Sequence, residues 1–405
     1  MYAAAAQQAP VFRSLVDLAS LDVTVTNGKG EPVVGLRSDE FVVTINDRPA
    51  SIELLQFVAV DSRRAVAPEG GGATSSPDAA GTSPFRVVVF LVDDLSMPAH
   101  PLQEAMQPAL EMLSMLGPDD VAGVVSTSGL GPVVNPTRDR SAVKAALLNK
   151  NMTGRALRRA GRFVIGAQEA VQVEEEVAGA LERLADRECL IPDVRRKDPI
   201  CEGALEMAAK EMARSDVQRS LQQLQAIERV VNALRGGPSP KILVVISSGL
   251  TVRTGLADVT QRIDALSRVA ASAGVIIYGL GKAPEFASVA DTSSERSTAI
   301  REEAVFLNSG LQTAVEATGG QSFLVVGQPK RFVQRIMSET SAFYRLGVRI
   351  PPESRSGALR VRVTTTRQNA IARANRHLIP PAGGGTESVP RRMRPQKTEA
   401  PTAVR

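Results

Sequence analysis

Phe85-Arg-Val-Val-Val-Phe-Leu-Val-Asp-Asp94 is an almost continuous apolar run that ends on two adjacent carboxylates. A strand with one face in water alternates apolar and polar residues, whereas a strand covered on both faces has no polar side to show. The run therefore predicts a central strand of a parallel sheet. Residues 120–127, 241–247, 274–281 and 321–326 follow the same pattern, and residues 102–116, 141–148, 260–273, 306–317 and 329–339 between them carry helical periodicity. Strands alternating with helices at this spacing predict an α/β fold with a doubly wound, mostly parallel sheet, spanning 84–340.

One connection in that block is far too long. Residues 155–235 supply about eighty residues of helix-forming sequence where a βα crossover needs a dozen or so. They read as a helical insertion. In its second half Val217, Leu221, Leu224, Ile227, Val231 and Leu234 recur at steps of three and four, and Gly236-Gly237-Pro238 stops the helix. A helical hairpin is expected, with the stripe packed on the domain's own sheet or a partner helix rather than on a second chain, and with Cys189 and Cys201 at its tip. These two cysteines suit one local disulfide in an oxidising compartment, or two free thiols.

On the N-terminal side, Leu21-Asp-Val-Thr-Val-Thr26 alternates, Asn27-Gly28-Lys29-Gly30 turns the chain, Phe41-Val-Val-Thr-Ile45 alternates again, and Asn46-Asp47 turns into 51–60. This predicts a small β unit over 12–64, preceded by a disordered mature N-terminus at 1–11. Residues 65–83, with Glu69-Gly70-Gly71-Gly72, are a flexible linker that has no means of burying a core. On the C-terminal side, strand signals return within 341–380, at 343–350, 358–366 and 370–374, too few for a sheet of their own. They are expected to complete the N-terminal unit as a small β-sandwich around the α/β domain. Residues 381–405 are expected to be a disordered tail.

Composition narrows the classes. A chain of 405 residues suits two or three folded units, and 43% apolar with 22% charged residues is a globular balance. The net charge is only +5, and the basic residues are spread out apart from Arg155/Arg158/Arg159/Arg162, Arg195/Arg196/Lys197 and a C-terminal group. With 3% aromatic residues and no Trp for base stacking, no nucleic-acid partner is expected. No run of eighteen apolar residues exists, so no transmembrane segment is expected. The opening Met1-Tyr2-Ala-Ala-Ala-Ala-Gln-Gln-Ala-Pro10 is like the end of a signal peptide and the start of a mature exported chain, without the apolar h-region. A secreted or periplasmic location is expected; a plain cytosolic N-terminus is the alternative. With two cysteines and only His100 and His377, no zinc site of the usual Cys/His type is expected.

Four motifs in order resemble von Willebrand factor type A (VWA) domains. Phe90-Leu-Val-Asp-Asp-Leu-Ser-Met97 resembles the strand leading into Asp-x-Ser-x-Ser, and Asn151-Met-Thr-Gly-Arg-Ala-Leu157 the Gly-Gly-Thr segment. Ile242-Leu-Val-Val-Ile-Ser-Ser-Gly249 resembles the strand ending Thr-Asp-Gly, and Ala317-Thr-Gly-Gly-Gln-Ser-Phe323 the Thr-Gly-Gly before the final strand. The flanks, Val23 to Leu36 with Asp39-Glu-Phe41, then Phe343-Tyr-Arg-Leu-Gly-Val-Arg-Ile-Pro351 and Ala370 to Asn375, are similar to the VWFA-related proteins of the acidobacterial type. The resemblance covers roughly 12–380 apart from the insertion, and its weight lies in the order and spacing of motifs that are individually weak. It implies a Rossmann-like three-layer sandwich with a metal-ion-dependent adhesion site at the carboxyl ends of the strands.

In such a site a hard divalent cation takes oxygen ligands and leaves one position for a partner's acidic group. Carried over residue by residue, the set here is Asp94, Ser96, Thr153 and Ser248. It is degenerate: Pro98 stands where the second serine should be and offers no side-chain oxygen, and Ser248 replaces an aspartate. Asp93 is a further candidate, although period two points it away from Asp94. Any Mg2+ or Ca2+ would be weakly held, and a site without a cofactor, in which Asp94 and Ser96 bond loop backbone, is the favoured expectation. His100 lies where a helix begins and is expected to be a surface histidine.

The expected function is therefore a protein-binding, adhesion or scaffolding module of the cell envelope, not an enzyme, with another envelope or extracellular protein as partner. The alternative is an exported hydrolase using a metal or a serine. That alternative lacks a Gly-x-Ser-x-Gly elbow and a histidine beside any serine motif. Gly279-Leu-Gly281-Lys282 follows a strand but has no third glycine, so a tight strand exit explains it.

Overall fold

The computed structural model describes residues 18–60, 85–99, 102–156, 162–191, 196–236, 240–252, 257–282, 294–350 and 357–380. The expected disordered N-terminus 1–11, linker 65–83 and tail 381–405, and His100, lie outside the described residues. Along the chain, β1 (Leu18–Asn27), β2 (Phe41–Ile45), β3 (Arg48–Ala50) and β4 (Ile52–Ala59) precede β5 (Val87–Val92), α1 (Gln107–Met115), β6 (Val121–Ser126), β7 (Val134–Thr137) and α2 (Arg140–Leu147). The insertion holds α3 (Ala167–Glu174), α4 (Ala180–Glu188), β8 (Leu190–Ile191), β9 (Arg196–Lys197) and α5 (Pro199–Ala233). Then come β10 (Lys241–Ser247), α6 (Ala257–Ala273), β11 (Val275–Lys282), α7 (Ser294–Glu316), β12 (Ser322–Val325) and α8 (Lys330–Glu339). The chain closes with β13 (Ala342–Arg349), β14 (Leu359–Thr365), β15 (Ala370–Ala374) and β16 (His377–Leu378).

The protein is mixed α/β. Six strands form a mostly parallel sheet in the order β12-β11-β10-β5-β6-β7, with β5 between β10 and β6 in parallel register. Every residue of β5 is buried, and strand alternation sorts them. Val88, Phe90 and Val92 join Met106, Met112, Leu147, Val333 and Ile336 of α1, α2, α8 and the turn before α1. Val89 and Leu91 join Leu224, Ile227, Leu266 and Leu311 of α5, α6 and α7. Helices on both faces are why the run has no polar side. Each fully buried Phe or Leu here contributes about 1.5–3 kcal/mol relative to exposure.

Strand β7 was not legible in advance. Its Val134-Asn-Pro-Thr137 is too short for periodicity and contains Pro136, which a sheet tolerates only at an edge. It runs antiparallel to β6, and a Cβ at Gly123 would lie 2.8 Å from the Val134 carbonyl oxygen, so glycine admits the close approach. Helix α7 reaches back to Ser294, well before the expected start at 306.

The insertion differs from a two-helix hairpin: α3 and α4 fold onto the first half of the 35-residue α5. Cys189 and Cys201 are joined in a disulfide, with Cα atoms 5.6 Å apart, inside an apolar cluster with Leu184, Leu205 and Ala209. The second half of α5 lays Val217, Leu224, Ile227 and Val231 against Leu243 and Val245 of the sheet. Among the described residues no helix is long and apolar enough to cross a membrane.

The remaining strands make two antiparallel sheets, β15-β1-β13-β4 and β16-β14-β2-β3, each drawing on both ends of the chain. Leu21, Val23, Val25, Leu346 and Val348 of the first face Phe41, Val43, Ile45, Val361 and Val363 of the second. Polar contacts tie this unit to the α/β unit. Glu339 of α8, with a side chain 0% exposed, accepts from Arg335 Nε at 3.0 Å and from Arg373 Nη2 of β15 at 2.5 Å. Burial, with the nearby Glu339 carboxylate, pushes the Tyr278 phenol far above its ordinary range, so its hydroxyl stays protonated.

Candidate functional site

Strands β5, β6 and β10 end side by side, and the loops leaving them meet. Asp93 extends the ladder by one bond, its N–H donating to the Ile246 carbonyl at 2.8 Å. Period two then sends its side chain to the α5 face with Val89 and Leu91. There Asp93 Oδ2 accepts from Ser247 Oγ and from Gln223 Nε2, each at 2.5 Å. Asp93 is 2% exposed, and its Oδ1 is buried with no hydrogen-bond partner among the described residues. Burial pushes this carboxyl upward toward its neutral form, against the pull of the neighbouring Ser247, Ser96 and Thr127 hydroxyls and the Gln223 amide.

Ser96 joins two of the loops. Its Oγ donates to the Asp93 carbonyl at 3.1 Å, lies 3.3 Å from Ser247 Oγ, and accepts from the Ser248 N–H at 3.0 Å. Ser248 thus meets Ser96 through its backbone.

Asp94, 1% exposed, belongs to a second group. Its Oδ1 accepts from the Ser128 N–H at 2.9 Å, and its Oδ2 accepts from Ser128 Oγ at 2.5 Å and Arg155 Nε at 2.9 Å. Arg155 Nε also lies 3.1 Å from Ser128 Oγ, and the Arg155 N–H donates to the Asp94 carbonyl at 2.6 Å. The segment 151–156 is pressed against the β5 loop: Ala156 N–H donates to the Met97 carbonyl at 2.8 Å, and a Cβ on Gly154 would sit 1.9 Å from the Pro98 carbonyl oxygen. Half-buried Thr153 rides on this segment.

The structure therefore gathers Asp93, Ser96 and Ser248 around Ser247, and places Asp94 one strand position away with Arg155 and Ser128. Ser128, Gln223 and Ser247 are not among the site residues expected from the sequence, and Arg155 is named there only as part of a basic cluster. One signal for Gln223 was present: with Asp216 and Ser220 it puts buried polar groups on the otherwise apolar face of α5. No comparable signal marked Ser128, because a serine two residues past a strand end is ordinary loop chemistry.

No known family model matches this chain, and no curated protein sequence does. The site's chemistry therefore rests on its own atoms. A divalent cation at an adhesion site needs ionised, accessible oxygens. Both Asp94 oxygens already accept from N–H and O–H donors, one of them cationic, and Asp93 is enclosed and shifted toward its neutral form. This set does not fit a divalent ion at Asp94.

A second polar cluster lies between the two units. His377 Nδ1 is 2.9 Å from Ser267 Oγ, and His377 Nε2 is 3.3 Å from Asp264 Oδ1. The elements of a nucleophilic triad are present, but Ser267 is 0% exposed and its Oγ lies 2.7 Å from the Ala317 carbonyl, to which it donates. A hydroxyl sealed from solvent and committed to backbone serves packing rather than attack. Burial lowers the His377 pKa below its usual range, opposed by Asp264 and reinforced by Arg268, Arg360 and Arg376.

Proposed function

We propose that this chain is a protein-binding or scaffolding module, a VWA-type α/β domain carried on a β-sandwich, working in the cell envelope or outside the cell and not as an enzyme. The observation that carries it is the meeting of three loops at the carboxyl edge of the sheet, where open α/β sheets place their binding surfaces. In the β6–β7 connection that carries Ser128, Leu130 and Val133 present apolar side chains that are 69% and 59% exposed. Side chains of this kind on a loop braced by a rigid scaffold suit recognition. The disulfide is compatible with an oxidising compartment, and supports export.

The test is retention of a partner from a cell-envelope extract by immobilised wild type and by a Leu130→Glu/Val133→Glu double variant of equal thermal stability. A partner kept by the first and lost by the second supports the reading. Equal retention, or a partner lost only when 155–235 is deleted, moves recognition away from this edge.

A further inference from the structure

We infer that Arg155 is the resident cation of this site and that the ligand it receives is a carboxylate on a partner polypeptide. The partner rests on the binding reading above; the chemistry rests on Asp94 and Arg155. A carboxylate as buried as Asp94 needs a counter-charge, because an unpaired ion out of water costs several kcal/mol. Arg155 supplies it from a fixed position. Its Nε is held by Asp94 and Ser128, its backbone N–H by the Asp94 carbonyl, and the glycine before it lets the segment lie against Pro98.

The outer half of the guanidinium is different. The Arg155 side chain is 33% exposed, against 1% for Asp94. Nε is engaged, while neither Nη group has a partner among the described residues. Two parallel Nη donors match the two oxygens of a carboxylate, and a guanidinium already oriented by a buried acid loses little freedom on pairing. Leu130, whose N–H donates to Ser128 Oγ at 3.1 Å, sets an apolar rim beside this fork. An acidic side chain flanked by apolar residues is the complementary feature. A divalent ion and this guanidinium compete for the same Asp94 oxygen, so the wild-type site is metal-independent.

The experiment follows arginine Nε–H resonances of the full chain, with Arg155→Lys identifying that of Arg155. Acetyl-glutamate-amide should shift this resonance, while acetyl-glutamine-amide and Mg2+ should leave it in place. No shift up to about 50 mM glutamate probe, beyond the weakest useful affinity, overturns the carboxylate assignment, as does a shift by inorganic phosphate alone. In parallel, thermal melts of wild type should ignore Mg2+, Ca2+ and Mn2+. Arg155→Ser, with Asp94 left unpaired, should gain about 2 °C at tenfold Kd of whichever ion it binds. A wild type stabilised by these ions, or an Arg155→Ser protein indifferent to all three, overturns the resident-cation assignment. Arg155→Lys keeps the charge without the fork, so it should stay metal-indifferent in the same melts. Failure here leaves the Leu130/Val133 experiment standing, since that test needs no carboxylate.

Discussion

Replacing Glu339 by Gln should cost the protein about 3–5 kcal/mol, the range for breaking a buried ion pair by removing one partner. The carboxylate is 0% exposed, and it neutralises Arg373, whose side chain is 16% exposed, and Arg335, whose side chain is 30% exposed. Arg335 reaches water and loses little. Arg373 is more enclosed: its Nη1 keeps Gln321 Oε1 at 3.1 Å, but its Nε is already buried without a hydrogen-bond partner among the described residues. With an unfolding entropy of about 2 cal/mol/K per residue, that loss lowers the melting temperature of a 405-residue chain by about 4–6 °C. Calorimetry on wild type, Glu339→Gln and the Glu339→Leu/Arg373→Met double variant measures it. The double variant should recover more than half of the loss, because no charge is left buried and alone. A single variant within about 1 °C of wild type would show that the junction between the two units does not depend on this pair.

The folded His377 pKa is lowered, so its contribution to stability is present above the ordinary histidine value of 6.5 and is lost as pH falls through the folded value. Wild type should lose up to about 1.4 kcal/mol per pH unit in that window, while His377→Gln loses less; parallel melting curves from pH 7 to 5 would contradict it. Gly154→Ala, whose Cβ would meet the Pro98 carbonyl at 1.9 Å, should destabilise by about 1–3 kcal/mol and broaden amide signals of 94–98, and an unperturbed spectrum would disprove the close approach. Cys189→Ser opens a loop spanning a sequence separation of 12 and should cost about 3 kcal/mol locally, seen as faster hydrogen exchange in 167–213 with the sheet amides unchanged.

The elements were legible where periodicity is long and environment uniform. Residues 85–94 announced a strand covered on both faces because every position of β5 is buried, and Lys241–Ser247 was bounded correctly for the same reason. The apolar stripe of α5 foretold packing, and it lies on the sheet. Short or edge elements were not legible: β7 has four residues and a proline.

For the site, sequence determined which loops leave the strand ends and that Asp93 and Asp94 must face opposite ways. Tertiary structure decided what each carboxylate meets. Gln223 comes from 130 positions away to Asp93, and Arg155 from 61 positions away to Asp94. A strand's own geometry sets the direction of a side chain from the two or three residues around it. The partner at the end of that direction is set by distant segments brought together when the core closes, and no local pattern encodes it.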